Sequence, residues 1–428
     1  AQESRGLGDV YKRQDHAHPE YSSPEVMTAR EAVVWDKAGE RIARLAMARI
    51  EKADGIPDLA LFKNNTDGKG QSYGTHENYL VDRGVPFERL CEILIPFFAT
   101  RQILVGAGRV GIGTRGEIDG FQISSRADFF ENEVGLETTL NRPIVNSRDE
   151  SHADSSRFRR LHVIIGDANL FETSTFLKLA MTSLVLSLAE REHATGKSLL
   201  PDIQLVDPVS AVHEISHDLG FAKTYATTDG KQASALDIQR AYLRAVKNSL
   251  EGDEADAETL EAIALWTELL EVLERNPLEA ADRIEWVGKY ALVKAFRERH
   301  GLEWSDPRLA ALDLQFTDVR EDKSIYEKLA KAGRVRRLVR DDKISHAVTH
   351  APESTRAYIR GGLVTHHRDD LDSAGWDVVT VRHEGAAMRV RLADPTVASK
   401  QWCEAHGVDP SGAIETCLLY TSPSPRDS

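Results

Sequence analysis

Two short segments carry imidazole, amide and guanidinium groups at the spacing of a β-strand. His76 and Asn78 are two positions apart, and so are Arg160 and His162. Because alternate side chains of a strand point to the same face, each segment presents an imidazole and a second polar group together. Imidazoles suit divalent cations, and guanidinium groups suit phosphate. The two segments therefore predict a cation or phosphate site, with hydrogen-bonded polar groups of the core as the alternative.

A third segment, near the N-terminal end, adds carboxylates to this set. Asp15 and Glu20 belong to the short, proline-containing sequence DHAHPE. Carboxylate oxygens and imidazole nitrogens together are ligands for a hard or borderline cation such as Mg²⁺ or Mn²⁺. We therefore expect these carboxylates to act with the two strands.

Arginine is enriched in the middle of the chain. Residues 101–160 contain nine arginines and no lysine, but also nine acidic residues. Net charge is therefore not the reason for the bias. A guanidinium group can bind a carboxylate or phosphate through two parallel hydrogen bonds, which a lysine cannot, so the bias indicates recognition of such groups. The alternative is that the bias is a chance effect of composition.

Two well-known motifs are present in contexts that argue against their usual functions. The sequence GAGRVG at 106–111 fits a dinucleotide-binding pattern, but the IGTRG that follows cannot start the helix that this pattern needs, so a flexible loop on the substrate side is expected. The sequence HEISH at 213–217 fits a zinc-peptidase motif. Asp218-Leu219-Gly220 follows at once and should end the helix, so we expect solvated polar residues at a helix end.

Composition limits the class of protein. The 428 residues carry a net charge of −14, with 41% hydrophobic and 29% charged residues, as in ordinary globular proteins. An acidic chain argues against general nucleic-acid binding. No apolar run reaches the roughly 18 residues of a membrane span, so no membrane partner is expected. Cys91 and Cys403, far apart in the chain, indicate a reducing compartment and a cytoplasmic location.

Hydrophobic periodicity predicts an α+β fold with a sheet first, helices next and a small C-terminal unit. The predicted helices are 28–53, 171–192, 235–250, 258–274, 278–300 and 324–338. The predicted strands are 59–63, 73–80, 103–105, 121–124, 161–165, 378–381 and 388–392.

Both ends of the chain are interpreted as translated sequencing adapter. The N-terminal ESRGLGDVYKRQ and the C-terminal CLLYTSPSPRD correspond to one adapter read in opposite orientations. We therefore expect adapter at 1–14 and 417–428, a large catalytic domain at 15–345 and a small domain at 346–416. The biological part is expected to lack its natural start.

Longer stretches resemble the family of Pup ligases and depupylases, which is related to glutamine synthetase and the carboxylate–amine ligases. The matching segments are DHAHPEYSSPE (15–25), KNNTDGKGQSYGTHENYL (63–80), GRVGIG (108–113), RPIVNSRDESHADSSRFRRLHVIIGDANL (142–170), LDLQFTDVREDKSIYEKL (312–329) and TRAYIRG (355–361). The sequence DHAHPEYS resembles that of the depupylase (Dop) branch. The resemblance implies a curved antiparallel sheet packed with helices, plus a small C-terminal α/β domain.

The resemblance also implies a role for individual residues. Asp15 matches the catalytic aspartate, as nucleophile or as activator of water. The other matching positions are Glu20, His76 and His162 for magnesium, Ser22, Ser23, Asn78, Arg160 and Trp376 for ATP, and, more loosely, Arg126 and Arg148 for Pup. A glutamate-rich strand that supplies a further magnesium ligand in the family lies upstream of Asp15 and is expected to be missing.

The implied activity is ATP- and Mg²⁺-dependent hydrolysis of the isopeptide bond between Pup and a substrate lysine, with deamidation of the C-terminal glutamine of Pup. The expected partners are Pup, which is disordered and acidic, and pupylated proteins of the proteasome pathway. Two alternatives stay open. One is a Pup–protein ligase, and the other is a catalytically impaired fragment that only binds Pup.

Overall fold

The computed structural model describes residues 11–15, 18–53, 55, 57, 59–250, 254–383 and 385–412. It contains helices and short strands that pair in small, mostly antiparallel sheets, so the predicted α+β class is confirmed. The helices are α1 (Ala29–Ile50), α2 (Phe87–Val105), α3 (Glu172–Thr195), α4 (Pro208–His217), α5 (Ala235–Ser249), α6 (Ala257–Arg275), α7 (Glu285–His300), α8 (Pro307–Phe316), α9 (Ile325–Lys331), α10 (Asp341–Ala347), α11 (Ala357–His366) and α12 (Lys400–His406).

The strands pair mostly two by two. They are β1 (Tyr11–Asp15), β2 (His18–Ser22), β3 (Glu77–Asp82), β4 (Arg109–Ile112), β5 (Ile118–Gln122), β6 (Phe130–Gly135), β7 (Arg142–Asn146), β8 (Phe158–Val163), β9 (Tyr225–Ala226), β10 (Gln232–Ala233), β11 (Leu371–Ala374), β12 (Val378–His383) and β13 (Ala386–Arg391). The pairs are β1–β2, β3–β8, β4–β5, β6–β7 and β9–β10, and β11–β12–β13 form one antiparallel sheet. β6 and β7 are parallel, and the described strands form several small sheets that are otherwise mostly antiparallel, as expected.

Helix α1 begins where its capping residues predict. The Thr28 hydroxyl accepts a hydrogen bond from the N–H of Glu31, and the Glu31 carboxylate reaches back to the N–H of Met27. These contacts satisfy N–H groups that a helix start leaves without partners. Val33 and Ala38 then face the core and are fully buried.

The apolar helices pack around α2. Phe97 of α2 lies with its ring centroid 5.2 Å from that of Tyr242 in α5 and 6.3 Å from that of Trp266 in α6. The predicted strand at 103–105 is wrong, because these residues form the last turn of α2. A short apolar run has no periodicity that separates a buried strand from a buried helix.

Three further predictions of secondary structure need correction. Residues 59–63 form no strand, and Phe62 makes only an isolated bridge to Asp318. The predicted helix 278–300 is interrupted, because Pro277–Ala280 form a short 3₁₀ helix and α7 begins at Glu285. The predicted helix 324–338 ends at Lys331, shortly before Gly333 adopts a left-handed conformation.

The described residues divide into two compact units. The first unit comprises the described parts of 11–45, 150–158 and 339–412, and the second comprises those of 46–149 and 159–338. The N-terminal residues group with the C-terminal ones, whereas the sequence prediction placed one boundary at 345. Residues from α11, β12 and β13 enclose a separate hydrophobic core that includes Leu363, Val379 and Val390. None of the described helices is both long and apolar enough to span a membrane.

Candidate active site

The second unit brings four predicted site residues together at the β3–β8 pair. The Asn78 Oδ1 atom lies 3.2 Å from an Arg160 guanidinium nitrogen and 2.8 Å from His162 Nδ1. The rings of His76 and His162 meet edge to face, with centroids 5.0 Å apart. These contacts confirm the prediction from strand alternation that each segment presents an imidazole and a second polar group on one face.

Asn78 determines which nitrogen of His162 carries the proton. A guanidinium group can only donate hydrogen bonds, so the Asn78 atom that faces Arg160 must be the accepting oxygen. The same oxygen faces His162 Nδ1, which must then be the N–H that donates to it. In the neutral ring the lone pair is on Nε2, the arrangement found in histidines that bind metals.

His76 is held in its neutral form. Desolvation by the surrounding protein atoms is the main cause that lowers the pKa of its imidazole to about 3, and repulsion from Arg126 and other nearby cations is the second. The residue still keeps solvent-accessible surface. A neutral, accessible imidazole can act as a ligand without first losing a proton.

A buried ion pair lies on the opposite face of β3. The two Glu77 oxygens each accept a hydrogen bond of 2.8 Å from Arg101, and the Tyr79 hydroxyl donates to Glu77 Oε2 at 2.6 Å. Because neighbours in a strand point to opposite faces, anchoring Glu77 fixes the direction of His76 and Asn78 on either side of it. The sequence reasoning did not find this pair, although the same alternation predicts that Glu77 points away from the site.

Arg126 and Arg148 are placed differently from one another. The Arg126 guanidinium is buried and donates to the carbonyl oxygens of Ile164 and Gly166. A Cβ atom at Gly74, two positions before His76, would lie 2.7 Å from it, so a larger residue there would displace the guanidinium group. These contacts favour a positioning role for Arg126 over the direct contact with Pup that was expected. Arg148 is exposed, as a contact residue would be.

In the first unit, β2 presents the predicted polar residues. The ring of Tyr21 packs so closely on α1 that a Cβ at Gly39 would lie 2.5 Å from it. Alternation then turns Glu20 and Ser22 to the other face, where the Ser22 hydroxyl lies 3.5 Å from Glu20 Oε1. Ser23 is exposed. Asp15 ends β1, and its side chain lies outside what the structure describes.

Trp376, the remaining predicted nucleotide contact, is held by residues that the sequence reasoning did not single out. Arg360 donates to the Trp376 carbonyl oxygen, and its guanidinium carbon lies 5.3 Å from the centroid of the indole. Arg360 and Arg356 both bind the Glu25 carboxylate. Both arginines belong to the TRAYIRG segment, which was noted only for its resemblance to the family.

The two well-known motifs have structural partners. His213 Nε2 lies 2.8 Å from the Phe130 carbonyl oxygen, and His217 Nε2 lies 2.8 Å from Asp128 Oδ1. Both histidines are half-buried rather than solvated, which corrects the sequence prediction, and α4 ends at His217 as expected. Residues 109–111 of GAGRVG already belong to β4 rather than to the start of a helix, which confirms the rejection of a dinucleotide-binding turn, and the expected flexible loop is in part a strand.

The fit of these residues to a metal ion is partial. Across the described residues, no group of three or more His, Cys, Asp or Glu side chains is arranged to hold a metal ion. What the structure does bring together is a pair of imidazoles, one held neutral and one with its tautomer determined by Asn78. The set Glu20, His76 and His162 therefore stays a prediction.

Comparison with known proteins identifies the family. The family model described as Pup-ligase protein matches residues 9–380. The chain belongs to the Pup-ligase family. A protein of this family from Mycolicibacterium smegmatis, named Pup deamidase/depupylase, is 47% identical over 392 residues, which cover 92% of this chain and 77% of the relative.

Other members of the Pup-ligase family match over similar lengths. A depupylase from Acidothermus cellulolyticus is 43% identical, covering 92% of this chain and 77% of the relative. A Pup–protein ligase from Acidimicrobium ferrooxidans is 39% identical, covering 89% and 83%. The Pup ligase PafA in complex with ADP has a TM-score of 0.83 at 32% identity, covering 96% of this chain and 89% of PafA. PafA in complex with Pup has the same TM-score and identity, covering 96% and 83%.

Proposed function

We propose that this protein is a depupylase and Pup deamidase that uses ATP and Mg²⁺. The observation that carries the proposal is the order of identities within the family: relatives named depupylases are 43–47% identical, two Pup–protein ligases are 39% and 40% identical, and the Pup ligase PafA is 32% identical. The ADP complex of PafA supports the nucleotide. The Pup complex of PafA supports Pup as the partner.

The proposed roles follow the contacts of each unit. Glu20, His76 and His162 would hold Mg²⁺, which when bound supplies positive charge beside phosphate and carbonyl oxygens. Asn78 orients His162, and Arg160 lies on the same face as a donor for phosphate. Ser22, Ser23 and Trp376 would complete the nucleotide contacts in the first unit.

The proposed chemistry is hydrolysis of a side-chain amide. Asp15 either attacks the side-chain carbonyl carbon of the C-terminal residue of Pup, giving an anhydride that water then hydrolyses, or removes a proton from water that attacks this carbon directly. The bond from that carbon to the lysine nitrogen breaks, and the released amine takes up a proton. In the deamidation reaction the leaving group is ammonia. Positive groups near the site stabilise the negative charge that develops on the carbonyl oxygen.

Recognition of Pup is proposed to depend on locally basic surface, despite the overall charge of −14. Pup is acidic and disordered, so it would become ordered as it binds. Arg148 is exposed and is the better of the two proposed contacts. A cytoplasmic role in the Pup–proteasome pathway fits the free, buried state of Cys91 and Cys403, the cysteines that the structure describes.

The test is a gel assay with a Pup-conjugated protein. The purified protein is incubated with the conjugate and Mg-ATP, and we expect free Pup and unmodified target. Formation of new conjugates from Pup ending in glutamate, with ADP released, would instead identify a ligase. Binding of Pup without any turnover would identify an impaired Pup-binding protein. Either of these results contradicts the proposal.

The variant Asp15→Asn separates chemistry from binding. We expect it to abolish release of Pup while the affinity for Mg-ATP changes less than about threefold, because the amide cannot act as base or nucleophile. Asp369→Asn, at an exposed position, is the control and should behave as the unchanged protein. Loss of ATP binding in Asp15→Asn would show that the aspartate is needed for binding instead.

A further inference from the structure

The Glu25 carboxylate binds two arginines of the same helical segment. Its Oε1 atom accepts from Arg356 Nε at 2.5 Å and from Arg360 at 3.1 Å, and its Oε2 atom accepts a second hydrogen bond from Arg360. Arg356 and Arg360 are 3% and 0% exposed. A buried guanidinium group needs an anionic partner, because its desolvation is otherwise uncompensated. Glu25 is a carboxylate that contacts both of them.

The two arginines that bind Glu25 also form hydrogen bonds with different parts of the first unit. Arg360 donates to the Trp376 carbonyl oxygen and lies against the Trp376 ring. Arg356 donates to the carbonyl oxygens of Leu392 and His152. Trp376 and His152 also contact each other, with ring centroids 6.4 Å apart.

Glu25 is close in sequence to the polar face of β2. Only Ser23 and Pro24 lie between it and Ser22, and Pro24 is buried and restricts the backbone. The carboxylate therefore joins the segment that carries Ser22 and Ser23 to the backbone that carries Trp376. A change at Glu25 would alter how these nucleotide contacts are held without removing any of them.

We infer that Glu25 is a positioning residue for nucleotide binding, acting through Arg360 on Trp376. The inference rests on the proposed function, since that proposal assigns Trp376 to the nucleotide. It adds a residue that touches neither the nucleotide nor the reacting bond. Its loss should weaken nucleotide binding more than it slows turnover at saturating nucleotide.

The test measures ADP binding and ATP dependence in Glu25→Gln. ADP binding is followed by the quenching of tryptophan fluorescence, with Trp376→Phe identifying the contribution of that ring. We expect the half-saturating concentrations of ADP and ATP to rise about tenfold in Glu25→Gln, with turnover at saturating ATP within about twofold. Glu25→Asp, which keeps the charge, should restore part of the affinity. Glu353→Gln, which removes an exposed ion pair with Lys400 in the same unit, should change nothing.

The outcomes distinguish this inference from the proposed function. If the unchanged protein binds no ADP, the proposed function is wrong. If it binds ADP and Glu25→Gln binds equally well, only the positioning role is overturned. If Trp376→Phe binds and is quenched like the unchanged protein, the route through Trp376 is overturned. If Glu25→Gln does not fold, Arg360→Lys replaces it, because lysine keeps a charge but loses the fork that bridges Glu25 and Trp376. Unchanged ADP binding in that variant overturns the inference.

Discussion

The ion pair behind β3 gives the most direct test of how the active site is held in place. The side chains of Glu77 and Arg101 are 0% and 2% exposed and share two hydrogen bonds of 2.8 Å. Glu77→Gln keeps the shape but directs an amide N–H₂ at the guanidinium. Arg101 would then lose its charged partner and keep neutral ones, which include the Thr182 hydroxyl and the Lys178 carbonyl. Removing one member of a buried pair costs about 3 to 5 kcal/mol, a large part of a typical stability of about 5 to 15 kcal/mol.

The assay is urea denaturation followed by tryptophan fluorescence, from which the free energy of unfolding is obtained. Glu92→Gln is the matched control, because it removes a carboxylate from an ion pair with Arg89 in which the two side chains are 55% and 27% exposed. Such exposed pairs contribute about 1 kcal/mol or less. A loss of less than about 1 kcal/mol in Glu77→Gln would refute the reasoning that this charge is uncompensated.

Two further predictions concern Asn78 and Glu25. Asn78→Leu should weaken Mn²⁺ binding, measured by electron paramagnetic resonance, about 10- to 100-fold, because His162 loses the acceptor that orients it. Asn78→Asp keeps an acceptor and should bind Mn²⁺ normally. Equal binding by the two variants would contradict the role of Asn78 in orienting His162. Burial alone would raise the pKa of Glu25, but attraction to Arg360 and Arg356 lowers it from 4.5 to about 2. The ionised Glu25 therefore contributes about 3 kcal/mol to the free energy of unfolding above pH 4.5, and this contribution is lost as the pH falls towards 2. The difference in unfolding free energy between the unchanged protein and Glu25→Gln should shrink over that range. A constant difference would refute the assignment.

The local part of the candidate site could be predicted from the sequence. Strand alternation depends only on neighbouring residues, and it placed His76 with Asn78 and Arg160 with His162 before any pairing of strands was known. The start of α1 at Thr28 is local in the same sense. What alternation could not give is that β3 and β8 pair with each other, which brings Asn78 onto both Arg160 and His162.

The parts that the sequence did not indicate depend on contacts between distant residues. Glu25 and Arg360 are 335 positions apart, so no periodicity relates them. Arg126 belongs to an arginine-rich stretch that indicated recognition of acidic groups, yet it is buried against the backbone carbonyl oxygens of Ile164 and Gly166. Residue type alone does not distinguish an arginine that contacts a ligand from one that supports a loop.

Ion pairs with little exposure to solvent support the site residues in both units. Glu77 and Arg101 lie behind His76 and Asn78, and the pair of Glu25 with Arg360 lies beside Trp376. Apolar residues of similar volume could provide comparable stability without the cost of desolvating charges. They would not, however, impose the direction that a two-point carboxylate–guanidinium contact imposes on the backbone next to it. Each site segment is therefore held in one orientation by a contact that has few alternatives, and this is the reason that neutralising either carboxylate should disturb the neighbouring site residues as well as stability.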